Sequence, residues 1–390
     1  MPFPTPFPLP PAAVPLSASR RRRARSDSAE SSEVPAKKKA YTDPLASIGG
    51  IFFIIGDMFY PIRDILLTGL QRSEDTDPTL YDSRENRLFS LFKILQKHRR
   101  TIIADLTVAN DGENSGVDTL MSISGRLEAG RKYTKNACVH GIKTQIGSWF
   151  SGWNIPTEKS SRGFNHDMCG KMLCPVDYDW SDPAVKQSLR TGQGKYFAGP
   201  EDLCFLLWPE NEYDADDPIH NFLRSRLIVK FILLGPNTAT EKEAKIRGKV
   251  KSRAAHHGIT SININTVVGC AVLVHYALSS QAQMSRGGTV ARGADAKTIA
   301  QKIAAHGGAW PYETFYQTII RFVTEMFTED QRSSLEQWFT TEVFGEEFDR
   351  WDPLEEDEEE DPAAPKTGVL HRMVMMQKQV LREARNDGGE

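Results

Sequence analysis

Long uncharged runs are almost absent from this sequence of 390 residues. Two stretches come closest: residues 45–56 carry no charge, and residues 266–278 are uncharged and mostly apolar. Both are shorter than the roughly 20 apolar residues that a membrane-spanning helix requires. We therefore predict that each forms a buried helix of a globular core and that the protein has no membrane contact.

The chain has only five cysteines, which is an odd number. The sequence has no Asn-x-Ser/Thr glycosylation site. Seven prolines lie in the stretch before the first basic cluster, and a secretory signal would need an apolar helix in that stretch. Reduced thiols in the cytosol or nucleus are therefore the simpler interpretation.

A large net charge is also lacking, because the formal sum is only −3. The charges are instead segregated at the two ends. Residues 1–42 carry eight Lys or Arg against three acidic residues, and residues 346–361 carry one against eleven. The stretch between them is close to neutral, which does not fit a clamp for duplex DNA.

Sustained two-residue alternation of apolar and polar residues is missing, so a large sheet is not expected. Helix signals are frequent instead. Asp-Pro steps at residues 43–44, 77–78, 182–183 and 217–218 place an N-cap acceptor before proline. Thr240 with Glu243, and Thr328 with Gln331, have the spacing of capping boxes. Apolar stripes at helical spacing follow, for example Leu88, Leu91, Phe92 and Leu95.

These signals predict an all-α protein, an irregular multi-helix globular bundle of nine to eleven helices with disordered N-terminal and acidic C-terminal segments. We divide the chain into four parts. Residues 1–42 form a Pro-rich, basic, disordered tail, and residues 43–345 form the helical body, with an internal boundary candidate at residues 285–295. Residues 346–368 form an acidic disordered linker, and residues 369–385 form an amphipathic helix.

Two basic clusters in the N-terminal tail have the form of a bipartite nuclear-import signal. The alternative is an unspecific basic tail. The import interpretation predicts an import receptor as a partner and a location in the nucleus, or in nucleus and cytoplasm. The residues concerned are Arg20, Arg21, Arg22, Arg23, Arg25, Lys37, Lys38 and Lys39.

His166, Cys169 and Cys174 lie at short spacing and are a candidate zinc site or thiol nucleophile. The competing interpretation is a short helix over residues 165–173 that packs its apolar residues inward while His166 bonds locally. Asp177 and Asp179 follow closely; they are candidate ligands of a hard cation or, alternatively, turn residues. We identify no phosphate-binding loop and predict no cofactor. His275, in an uncharged run, is interpreted as a core histidine with a satisfied hydrogen bond.

A row of basic residues at helical spacing is the clearest surface signal. It is a candidate contact for nucleic acid or for an acidic protein segment, the chain's own residues 355–361 included. A solvated helix face explains the pattern equally simply. The row consists of Lys242, Lys245, Lys249, Arg253 and His256.

Four short stretches, which we call the signature segments, resemble an uncharacterised family of mushroom-forming fungi known only as a domain of unknown function. They are Arg-Gly-Phe-Asn-His at residues 162–166, Leu-Cys-Pro at 173–175, Asp-Trp-Ser-Asp-Pro at 179–183 and Ala-Leu-Ser-Ser at 277–280. The resemblance spans roughly residues 41–345. It implies an intracellular, helical fungal protein and brings no activity or catalytic residue with it.

Two function classes remain open on the sequence. The preferred one is a nuclear or nucleocytoplasmic binding or scaffold protein, associated with chromatin or nucleic acid through the basic row. The alternative is a hydrolytic or nuclease-like enzyme of mobile-element origin that uses His166, Cys169, Cys174, Asp177 and Asp179. The two differ in a structural consequence: the enzyme needs at least three of these polar side chains in one pocket.

Overall fold

The computed structural model describes residues 43–107, 116–210, 212–234, 254, 257–284 and 310–345, and six residues between 369 and 377. These residues form eleven α-helices and no strand, apart from one isolated bridge between Pro175 and Cys204. The all-α prediction is thus confirmed. The ends predicted to be disordered, at residues 1–42 and 346–368, lie outside the described residues, as does the boundary candidate at 285–295.

The helices follow one another in chain order, joined by loops that contain five short 3-10 turns among the described residues. Their bounds are α1 Pro44–Ile55, α2 Ile62–Gln71, α3 Ser83–His98, α4 Ile102–Thr107, α5 Gly116–Trp149, α6 Asp167–Leu173, α7 Pro183–Thr191, α8 Arg226–Leu234, α9 Ile264–Leu278, α10 Tyr312–Met326 and α11 Glu329–Phe344.

Three of the five predicted helix starts that fall on described residues are present, and the predicted capping box of Thr240 and Glu243 lies outside the described residues. The Asp43 carboxylate accepts the Leu45 N–H at 2.9 Å and begins α1, and Asp182 caps α7 in the same way. Thr328 and Gln331 form the expected capping box at the start of α11. Each cap gives an otherwise unpartnered helix N–H an acceptor, which explains why these starts are readable from local sequence.

Two Asp-Pro steps do not start an α-helix. Pro78 begins a single 3-10 turn that ends at Leu80. After Asp217 the chain makes only a hydrogen-bonded turn. The indole N–H of Trp208 donates to the Pro218 carbonyl at 3.2 Å, and Asn221 adopts a left-handed φ of 55°. Both features prevent continuation of a helical ladder.

Helix α9 is the centre of the main core, and all fifteen of its residues are buried. Helices α1, α5, α6, α8, α10 and α11 pack around it. The prediction of buried helices over residues 45–56 and 266–278 is confirmed, because α1 and α9 cover both stretches. A second apolar cluster joins α1 to α4 with the first half of α5.

Helices α1 and α5 cross at the distance of backbone contact. A Cβ atom added at Gly49 would overlap the carbonyl oxygen of Leu127, and one added at Gly130 would overlap that of Ala46. Glycine on both helices therefore permits a crossing that any larger side chain would push apart.

A buried carboxylate fixes the loop after α1. Asp57 is fully buried and accepts the N–H groups of Phe59 and Tyr60, each at 2.7 Å. The guanidinium of Arg87 lies 3.6 Å from this carboxylate and also donates to Asn265 at 2.7 Å. The loop is thereby tied to α3 and to the start of α9.

The described residues of the predicted C-terminal helix, residues 369–385, are helical and lie on the body. Val369 and Met373 are buried in the main core, and the Val369 N–H donates to Asp177 at 2.7 Å. Gln377 donates to Gln331 of α11 at 2.6 Å. The rest of that segment lies outside the described residues.

Candidate functional site

His166 is the N-cap of α6. Its Nδ1 accepts the backbone N–H of Cys169 at 3.3 Å. The helix predicted over residues 165–173 begins two residues later, at Asp167. The residues before it form a 3-10 turn that ends at His166. The lone pair that would bind a metal through Nδ1 is used in capping.

The three thiols near α6 are buried and free of disulfides. Burial raises the pKa of Cys169 to about 11 and that of Cys204 to about 12, and it raises the pKa of Cys174 further. A thiol with a raised pKa is a weak nucleophile at neutral pH. Within the described part of the chain, no three His, Cys, Asp or Glu residues are placed to hold a metal ion.

We predict that none of the five cysteines reacts with Ellman's reagent in the native protein within minutes, since all five are buried. All five are expected to react once guanidinium chloride unfolds the chain. The measurement is the absorbance of released thionitrobenzoate with and without denaturant. One fast native thiol that disappears in Cys169→Ser or Cys174→Ser would contradict the prediction.

The acidic residues after α6 make structural hydrogen bonds, one local and one to the C-terminal segment. Asp179 accepts both the N–H and the hydroxyl of Ser181, each at 2.7 Å. Asp177 accepts the Val369 N–H. These contacts match the interpretation of Asp179 as a turn residue, and they leave both carboxylates outside the cavity described next.

The other predicted sites cannot be located in this way. The basic row Lys242, Lys245, Lys249, Arg253 and His256 lies outside the described residues, and so do the import-signal residues 20–25 and 37–39.

A cavity of about 250 Å³ lies where three of the signature segments meet, and we call it the signature cavity. Residues 163–165 and Leu173 supply one wall, and the end of α7 with the loop after it supplies another. His275, residues 279–281 and Trp310 close it. Sequence segments more than one hundred residues apart thus form a single site.

Lys159 and Arg162 hold the C-terminal end of α9 beside this cavity. The Lys159 amine donates to the carbonyls of Tyr276 and Ser279, the latter at 2.5 Å. The Arg162 guanidinium donates to the Ala277 carbonyl at 2.9 Å. Cations at a helix C-terminus are favoured by the helix dipole and by the free carbonyls there.

Arg162 also ties α9 to the loop that precedes α6 and to the end of α5. Its guanidinium donates to the carbonyls of Pro156 at 2.7 Å, Lys143 at 3.0 Å and Thr157 at 3.2 Å. Next to it, Gly163 has a left-handed φ of 65°, and a Cβ there would lie 2.9 Å from the Ser280 nitrogen. The first and last signature segments therefore pack backbone against backbone.

His275 and Trp310 stack on each other in the cavity wall, with ring centroids 4.9 Å apart. The Nδ1 of His275 and the Nε1 of Trp310 are both buried, and neither has a hydrogen-bond partner among the described residues. The interpretation of His275 as a core histidine is correct for its burial, but its Nδ1 lacks a hydrogen-bond partner among the described residues. A buried polar atom without a partner is unfavourable, and such atoms often mark a binding site.

We expect His275 to make the protein less stable in acid. Burial lowers the pKa of His275 from 6.5 to about 3. Between these values the unfolded chain binds a proton that the folded protein does not, so the free energy of unfolding falls as the pH falls. The contribution is fully present above pH 6.5, and its slope is at most about 1.4 kcal/mol per pH unit.

The measurement is urea unfolding at several pH values for wild type and His275→Gln. Asp202, whose pKa burial raises to about 6, acts in the opposite direction over part of this range, so the difference between the two proteins is the quantity to compare. His220→Gln, at an exposed turn, is the matched control. Equal slopes for wild type and His275→Gln would show that His275 is not the cause.

The fold and the cavity together define the class: an all-α globular protein built around one buried helix, with a small cavity at the end of that helix. The chain belongs to the family of unknown function DUF6698, whose model matches residues 129–344. The match is narrower than the resemblance noted from the sequence, but it contains every described segment that lines the cavity. No curated protein and no solved structure matches the chain. None of the helices in the described ranges is long and apolar enough to cross a bilayer.

Proposed function

We propose that this protein is a non-catalytic binding protein of the fungal nucleus whose helical body holds a small ligand in the signature cavity. One observation carries the binding part: signature segments from distant parts of the sequence meet at one cavity, and two of its wall residues, His275 and Trp310, each have a buried ring nitrogen without a partner among the described residues. Mixed polar and apolar walls of this kind are typical of ligand sites.

The geometry gives the hydrolytic or nuclease-like alternative less support. That alternative needs at least three of its named side chains in one pocket. His166 caps a helix, Cys169 and Cys174 are buried, and none of the named residues lines the signature cavity. Binding is therefore the better account of the described residues.

Ligand binding is tested by screening a fragment library against the isotope-labelled full chain by NMR. The expected result is a set of fragments that shift the signals of Trp310 and its neighbours. Ser280→Phe should block the cavity and abolish these shifts, because Ser280 is a half-buried wall residue. Ser148→Phe, at an exposed position of α5, is the matched control. Hits that persist unchanged in folded Ser280→Phe would argue against this site.

Nuclear import rests on the basic clusters of residues 20–25 and 37–39, which supply the charge that an import receptor reads. Alanine at Arg20, Arg21, Arg22, Arg23 and Arg25 should move a fluorescent fusion to the cytoplasm. A signal that stays in the nucleus removes this part of the proposal.

A second partner, nucleic acid or an acidic protein segment, rests on the basic row. Charge reversal by Lys245→Glu with Lys249→Glu should abolish retention on DNA or RNA at low salt. Absence of retention by the wild-type protein at low salt would leave no role for the row in nucleic-acid binding.

A further inference from the structure

The chemistry of the signature cavity indicates what kind of molecule it binds, and this step rests on the ligand-binding function proposed above. The described residues that line the cavity include no Asp and no Glu. They include one cation, Arg190, and several groups that donate hydrogen bonds. The balance of charge is the first guide to the ligand.

Two further basic side chains lie behind the wall without an acidic partner among the described residues. Arg162 is 2% exposed and Lys159 is 6% exposed, and neither forms an ion pair with a described residue. Their hydrogen bonds all go to carbonyl or hydroxyl oxygens, chiefly at the end of α9. Lys159 donates to three carbonyls, but burial lowers its pKa to about 6, so its amine is largely neutral at pH 7 and the buried charge is that of Arg162. Buried positive charge without a carboxylate nearby favours an anion in the cavity.

The hydrogen-bonding groups also favour an acceptor. The indole N–H of Trp310 is a donor only, and it has no partner among the described residues. Its nitrogen is fully buried, so a ligand in the cavity reaches it only after a shift of the ring. Arg190 uses its Nε to donate to the Phe164 carbonyl at 2.7 Å, and its terminal nitrogens form no hydrogen bond with a described residue, although its charge also acts on the Asp167 carboxylate. Both groups are satisfied by a carboxylate, which accepts from either.

Apolar and aromatic side chains form another part of the wall and determine the body of the ligand. Phe164, Leu189 and Phe197 line the cavity together with Leu173 and Tyr196. The cavity volume of about 250 Å³ accommodates an acid whose body is the size of a substituted benzene ring.

We propose that the signature cavity binds a small monocarboxylic acid with an apolar, ring-sized body, whose carboxylate accepts hydrogen bonds from Trp310 and Arg190. The apolar body packs against the Phe and Leu side chains. Nothing is transferred or cleaved; the site recognises and holds the anion.

The test is a titration of the full chain at pH 7 with sodium benzoate and, separately, with benzamide, followed by calorimetry and NMR. The two probes share a ring and a shape and differ in charge. We expect benzoate to bind about tenfold more tightly, the difference typical of one hydrogen bond to a charged partner. Arg190→Gln should remove most of this preference and leave benzamide almost unchanged, whereas Arg190→Lys should keep part of it.

Arg84→Gln is the control, since Arg84 is an exposed arginine remote in sequence from the cavity, on α3. Trp310→Phe, which keeps a ring and loses the N–H, should weaken both probes. Thermal unfolding of each variant shows whether it is folded.

The possible results separate the two proposals. If benzamide binds as well as benzoate, or if only uncharged fragments bind, the carboxylate inference is wrong while ligand binding stands. If inorganic phosphate binds as well as benzoate, the apolar body is not recognised and the inference is also wrong. If no fragment of any charge binds the folded wild-type protein, the proposed ligand-binding function itself fails.

Discussion

Replacing Arg162 with alanine is expected to lower the free energy of unfolding by about 3–5 kcal/mol, the range for breaking a buried charged contact. The side chain is 2% exposed and donates to four carbonyl groups, from Lys143, Pro156, Thr157 and Ala277. Alanine removes these four hydrogen bonds and opens a cavity. Because small domains are stable by only about 5–15 kcal/mol, this loss approaches unfolding.

Urea unfolding followed by circular dichroism measures the effect. Arg162→Lys keeps the positive charge but cannot reproduce the planar fork, so we expect an intermediate loss. Arg84→Ala, at an exposed arginine of α3, is the control and should change stability by less than about 1 kcal/mol. If the urea unfolding midpoint of Arg162→Ala equals that of the wild-type protein, Arg162 does not hold the helices together.

Gly130→Ala is expected to destabilise the protein by about 3 kcal/mol, at the upper end for overpacked cores. Its added methyl group overlaps the Ala46 carbonyl oxygen at the crossing of α1 and α5. Backbone cannot move aside as a flexible side chain can, so the two helices must separate. Gly49→Ala, on the opposite helix, should have a similar effect because its methyl group meets the Leu127 carbonyl.

Gly125→Ala is the matched control for this prediction. It lies in α5 as well, and nothing lies within 4 Å of a Cβ placed there. Alanine has the higher helix propensity, so Gly125→Ala should stabilise the protein by about 0.5–1 kcal/mol. Comparison of denaturation midpoints checks the sign of the stability change for Gly130→Ala and for Gly125→Ala. If both substitutions in α5 shift the midpoint in the same direction, steric contact at the crossing is not the dominant effect.

Local signals account for the part of the fold that the sequence predicted. Caps such as Asp43, Asp182 and the Thr328 box satisfy helix N–H groups within three residues of themselves, so their effect is visible in a short window. The helix start predicted at Asp217 is absent, because the local backbone depends on a hydrogen bond from Trp208, a residue from another part of the loop.

The candidate site was only partly predictable, for the same reason. The resemblance pointed to Arg162 and to residues 277–280, but no local pattern shows that they touch. Lys159 lies in a stretch rich in serine and glycine that indicates an exposed loop, yet it is buried against the end of α9. Trp310 gave no signal, and His275 was interpreted only as a core residue, because an unpartnered ring nitrogen is a property of the packed structure.

The complete burial of α9 has a consequence for synthesis of the chain. This apolar helix leaves the ribosome before α10 and α11, which cover two of its sides, have been translated. At about 5–20 residues per second, the interval lasts on the order of several seconds. During that time the nascent chain exposes an aggregation-prone segment, so its yield in the cell should depend on chaperones that shield residues 264–278 until the C-terminal helices arrive.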